Sequence, residues 1–86
     1  MPASVLDTSV LVRYLTHDDA VKAAAARSYL QSAGKDSLLL PHVAMAELAF
    51  VLLRVYRWPV PSVADAIRAV VSDRAIVVPD GQLWLQ

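Results

Sequence analysis

The 86-residue chain contains no cysteine. That excludes both a disulfide framework and a thiolate metal centre. Net charge is also missing, because 8 basic residues balance 8 acidic ones. No global field draws the chain to nucleic acid or to an anionic membrane, so any such binding has to be local. Long apolar runs are absent too. The longest, Leu48 to Leu53, falls far short of the ~20 residues that span a bilayer. The amino terminus lacks the basic start and apolar core of a signal peptide, and a cytoplasmic protein is the expectation. His17 and His42 show neither HxxxH nor HxH spacing, so they read as loop or cap residues rather than ligands. Glutamate occurs once, at Glu47.

Apolar material is plentiful. Hydrophobic residues make up 57% of the chain and the mean hydropathy is +0.46. A domain of this size buries only about 60–65% of the surface its unfolded chain exposes. The surplus implies a partner surface, or a chain that forms the front part of something larger.

The pattern begins with a short apolar run, Ala3 to Leu6, that closes on Asp7 and reads as a buried strand. Asp7-Thr8-Ser9 offers helix caps, and Val10, Leu11, Tyr14 and Leu15 follow at helical spacing. Thr16 to Asp19 leads into a second helix, Ala20 to Ser32, with Val21, Ala25, Tyr29 and Leu30 as its expected inner face and Gly34 as its stop. Ser37 to Leu40 reads as a parallel central strand. Pro41 or His42 opens a long apolar helix to about Tyr56. Trp58 to Pro61 breaks the chain. Ser62 is then expected to cap a helix from Val63 to Val71, with Val63, Ile67, Val70 and Val71 inward. Ala75 to Val78 gives a third strand, and a further helix begins near Gln82. Strands alternating with helical pairs predict an α/β domain, a short parallel sheet flanked by helices in three layers.

Two carboxylates carry the chemistry. Asp7 closes the first strand, at the sheet edge where open parallel sheets bind ligands. Glu47 lies one to two turns into the helix after the second strand, among apolar neighbours, where a lone ionised carboxylate needs a cation or water. Two carboxylates converging at such an edge repel unless protonated or bridged. Oxygen-only ligands favour Mg²⁺ or Mn²⁺. Plainer roles compete: Asp7 as a helix cap, Glu47 in an ion pair with Arg13 or another basic residue, Asp18 and Asp19 as a solvated cap. Tyr56, Trp58 and Pro59 read as a packing corner. A haloacid-dehalogenase-like domain would want a second carboxylate two residues after Asp7, and Ser9 stands there.

Val5-Leu6-Asp7-Thr8-Ser9-Val10-Leu11-Val12-Arg13-Tyr14-Leu15, then Asp18-Asp19, then Ala44-Met45-Ala46-Glu47-Leu48 with Val51-Leu52 and Tyr56, resembles the amino-terminal part of PIN domains. The closest look-alikes are VapC-type toxins of VapBC toxin–antitoxin pairs. The resemblance implies a metal-dependent endoribonuclease that cleaves RNA. Asp7 falls on the family's first-strand metal ligand, Glu47 on its helix-borne acidic residue, and Ser9 on the small polar residue that supports the first aspartate. Catalysis would rest on Asp7, Glu47 and Ser9, with Mg²⁺ or Mn²⁺ held by Asp7 and Glu47. A cognate antitoxin and a homodimer are the implied partners. PIN domains continue into another helix and strand that bring further aspartates, and neither Asp73 nor Asp80 matches those positions. Residues 1–86 are therefore expected to form a single PIN-like domain truncated at the C-terminus, weakly active or inactive alone. The alternative is a non-catalytic dimerisation or antitoxin-binding module.

Overall fold

A computed structural model describes residues 4–79. Three two-residue strands, β1 (Ser4–Val5), β2 (Leu38–Leu39) and β3 (Ile76–Val77), form a parallel sheet in the order β1-β2-β3. Ser4 faces Leu38 and Leu38 faces Ile76, while Val5, Leu39 and Val77 form the next row. Backbone bonds extend the ladder past these bounds, with the Leu6 amide donating to the Leu39 carbonyl at 2.7 Å and the Leu40 amide to that of Val77 at 2.9 Å.

Two helices fill each crossover. Between β1 and β2 run α1 (Thr8–Thr16) and α2 (Ala20–Ser32); between β2 and β3 run α3 (His42–Arg54) and α4 (Val60–Ser72). Side chains alternate across a strand, so Leu6, Leu38, Leu40 and Ile76 share one sheet face, and all four are buried. Leu11, Leu30, the α3 stripe Met45, Leu48 and Leu52, and the α4 stripe Val63, Ala66 and Val70 meet them in one core. The other sheet row is more open, and Val5 is 67% exposed. The α/β class and the short helix-flanked parallel sheet are as the sequence predicts. Among the described residues no helix is long and apolar enough to cross a membrane.

Three local expectations fail. In α2 the buried residues are Ala23, Ala26 and Leu30, whereas Val21, Ala25 and Tyr29 face outward. Alanine permits the close approach of α1 and α2, while Val21 and Tyr29 stay outside the core. Helix α4 starts at Val60, with Pro59 as its cap and Pro61 inside the first turn, so Ser62 is not the cap. The missing N–H of a first-turn proline costs nothing, because that amide has no intrahelical acceptor anyway. Gly34 does not adopt a left-handed stop; Ala33 caps α2 in extended conformation, and Asp36 takes the positive φ of 55°. The helix expected from Gln82 and the turn at Asp80 lie outside the described residues.

Surplus apolar surface is visible as well. Val21, Val43, Phe50, Val55 and Val60 are each at least 60% exposed.

Candidate functional site

Parallel strands begin and end together, so the residues leaving β1 and β2 emerge at one edge. Asp7 leaves β1 there and caps α1, its Oδ1 accepting from the Ser9 amide at 2.9 Å. The Ser9 amide, then the Ser9 hydroxyl, then the Arg13 guanidinium hold the Asp7 carboxyl below its usual value of 3.8. Asp7 is therefore ionised throughout the neutral range, and it is exposed. The cap role weighed for it is real, and Asp7 remains open to solvent while filling it.

Glu47 sits in the second turn of α3. Its immediate neighbour Leu48 and its turn-mate Met45 point into the core and are fully buried, so Glu47 faces outward and is exposed. That exposure is how the helix tolerates a carboxylate among apolar residues. No arginine neutralises it: among the described residues the one salt bridge is Arg68 to Asp65, on α4, at 3.1 Å. The ion-pair alternative is thus not what holds Glu47.

Thr8 joins the two elements. It is the one buried polar residue among those described, and its Oγ1 donates to the Ala44 carbonyl at 3.4 Å. This bond ties the first residue of α1 to the first turn of α3. At the other end, the Tyr56 hydroxyl just past α3 meets Thr16, the last residue of α1, and Asp18 just beyond it. Two helices joined at matching ends run side by side in the same direction. Glu47 lies three residues beyond Ala44, a rise of about 4.5 Å, and helical side chains lean towards the amino end. Glu47 therefore leans back towards the edge where Asp7 caps its neighbour. Sequence reading passed over Thr8 as one more cap candidate. Its spacing puts it on one helical stripe with Leu11 and Leu15, which marks the packed side but not the helix its hydroxyl reaches.

The remaining candidates lie elsewhere. Asp19 caps α2, accepting from Val21 and Lys22 amides at 3.0 and 3.1 Å. Asp73 ends α4 and accepts from the Ala75 amide at 2.9 Å, before β3 and thus at the opposite edge of the sheet. His42 opens α3 at the same edge as Asp7. Among the described residues no three of His, Asp and Glu gather into a metal-holding set. The available donors are two carboxylates, hard oxygen ligands of the kind that suit Mg²⁺ or Mn²⁺. With no third donor among the described residues, such an ion would be held weakly.

No curated protein and no solved structure matches the chain. A family model does, that of the PIN domain, over residues 4–85. PIN domains are typically nuclease domains that use divalent metal ions, and they occur often in toxin–antitoxin systems. The match covers almost every residue, and the parallel sheet with paired helices in each crossover agrees with it: the chain belongs to the PIN domain family.

Proposed function

We propose that the chain is the endoribonuclease toxin of a VapBC-like toxin–antitoxin pair, with Asp7 and Glu47 sharing one Mg²⁺ or Mn²⁺ and Ser9 steadying Asp7. The observation that carries this reading is the Thr8–Ala44 hydrogen bond. It ties the start of α1, which Asp7 caps, to the first turn of α3, one turn before the exposed Glu47, and so supports their sharing an ion. Neither carboxylate is needed by the core, so their place on this edge asks for a ligand. A divalent ion bound there would activate water and stabilise displacement at phosphorus. The chain's own part is to keep the ligands charged and placed. Two backbone and side-chain groups of Ser9 hold Asp7 ionised, and Thr8 fixes the spacing of α1 and α3.

Cleavage of RNA in the presence of Mn²⁺ tests the reading. Asp7→Asn and Glu47→Gln should each abolish cutting while leaving the circular dichroism spectrum unchanged. Full activity in the Asp7→Asn protein would refute the assignment. With only Asp7 and Glu47 to hold the ion, cutting should be slow.

A second reading, a non-catalytic module, is favoured by one observation. Val43, Phe50 and Leu53 form an exposed apolar stripe on α3. The stripe suits a homodimer contact or an antitoxin. Both readings accept such partners; calorimetric titration with Mn²⁺ separates them, because a module has no reason to bind the ion through Asp7.

A further inference from the structure

The groove between α1 and α2 is lined by neither Asp7 nor Glu47. Val10 and Arg13 line it from α1, and Lys22, Ala25, Ala26 and Tyr29 from α2. The four α2 residues fall at i, i+3, i+4 and i+7, one helical face about 10 Å long. Alanine makes the floor shallow. A cation stands on each wall, and Tyr29 is 45% exposed. The cavity of about 190 Å³ is smaller than the roughly 300–1,000 Å³ of small-molecule pockets. It takes a single flat group, with the rest of its ligand running outside.

Charge selects what that ligand is. The chain is neutral overall, yet this groove has two cations in its lining and no carboxylate. Asp19, at the head of α2, is turned onto the Val21 and Lys22 amides. Neither Arg13 nor Lys22 joins a salt bridge among the described residues. Arg13 also lies about 9 Å along α1 from Asp7, and its charge reaches that carboxylate. Cations beside an exposed aromatic ring suit a nucleic-acid single strand, whose phosphates and base faces need those two groups. An acidic peptide would use the cations but leaves the bare ring unexplained.

We propose that the α1–α2 groove binds single-stranded RNA, with Arg13 and Lys22 on backbone phosphates and Tyr29 stacked on a base. This rests on the nuclease reading and gives its substrate a path to Asp7. All three side chains are exposed, so their variants fold.

The test is fluorescence anisotropy with a short labelled RNA of mixed sequence, without divalent ions, across a salt series. Arg13→Gln with Lys22→Gln should weaken binding at least tenfold. The slope of log K against log salt should fall by about 0.7 per cation removed. Tyr29→Ala should weaken binding about fivefold or more with the slope unchanged. Lys35→Gln, outside the groove, should change nothing. Unaltered affinity and slope in the Arg13/Lys22 variant would overturn the proposal. So would retained RNA binding with loss of affinity for a labelled acidic peptide, which would make the groove a protein site. The two readings fail separately. RNA binding that depends on the groove without any Mn²⁺-dependent cleavage sinks the nuclease; cleavage unaffected by the groove variants sinks the groove.

Discussion

Divalent ions should stabilise the protein through Asp7 and Glu47, and heat denaturation measures by how much. An ion that binds only the folded chain adds RT ln(1 + [L]/Kd) to stability. Oxygen sites with few charged ligands fall near a Kd of about 1 mM, the weak end of the range for such ions. At about 10 mM Mn²⁺ the gain is then ~1.4 kcal/mol. A domain of this size moves by roughly 4–8 °C per kcal/mol, so the Tm should rise by about 6–11 °C. The structure sharpens the test because neither carboxylate supports the core. Glu47 is exposed and makes no salt bridge among the described residues, so Glu47→Gln should leave the metal-free Tm within a degree or two. Asparagine can still cap α1 through its side-chain oxygen, so Asp7→Asn should fold as well. Both variants should lose the Mn²⁺ shift. A shift of full size in either, or no shift in the parent protein, refutes the reasoning. The assay is differential scanning fluorimetry over a Mn²⁺ series, with Ca²⁺ and high NaCl as controls for plain screening.

Other consequences are equally open to measurement. Leu48 is fully buried beside Glu47, and Leu48→Ala should cost about 3 kcal/mol, read from urea unfolding; a loss under about 1 kcal/mol would mean α3 packs differently. Arg57, three residues past the end of α3, has a φ of 56°, and the Trp58 amide reaches back to Leu52 at 3.0 Å. Glycine suits that left-handed position, so Arg57→Gly should stabilise by about 0.5–1 kcal/mol, and a fall in Tm would contradict that geometry. The Asp7 carboxyl titrates lower when folded than its unfolded value of 3.8. Its contribution is therefore fully present above that value and disappears as pH drops through the folded one; acid unfolding of Asp7→Asn should lack this component. Tyr56 moves the other way, raised above 10.0 chiefly by its hydrogen bond to the Asp18 carboxylate. Its contribution holds below pH 10 and is lost as pH climbs through the folded value, and Tyr56→Phe should flatten the alkaline limb.

Much of this architecture is legible in the letters. Helix α2 runs from Ala20 to Ser32 as its alanine-rich middle predicts, and Leu38 and Leu40 are buried as a central strand requires. Periodicity supplies element type, but it says less about phase. In α2 the apolar residues occupy more than one face, and which face turns inward depends on how closely α1 approaches, a tertiary fact. The start of α4 was hidden for a related reason: Pro59 and Pro61 look like breakers until one sees that a first turn has spare amides. For the site, Asp7 and Glu47 stand out by position and by scarcity. Thr8 does not, because a threonine between two better cap residues gives no sign that its hydroxyl will cross to another helix. The distance between sheet edge and helix face is set by that contact, and sequence spacing alone does not encode it.

Crystals soaked in Mn²⁺ and measured at an anomalous wavelength would address the shared cation itself. One peak is expected between α1 and α3, about 2.0–2.3 Å from a carboxylate oxygen of each residue, near the values for hard divalent ions. A map with no peak there, or with a peak held by only one of the two carboxylates, would contradict that expectation.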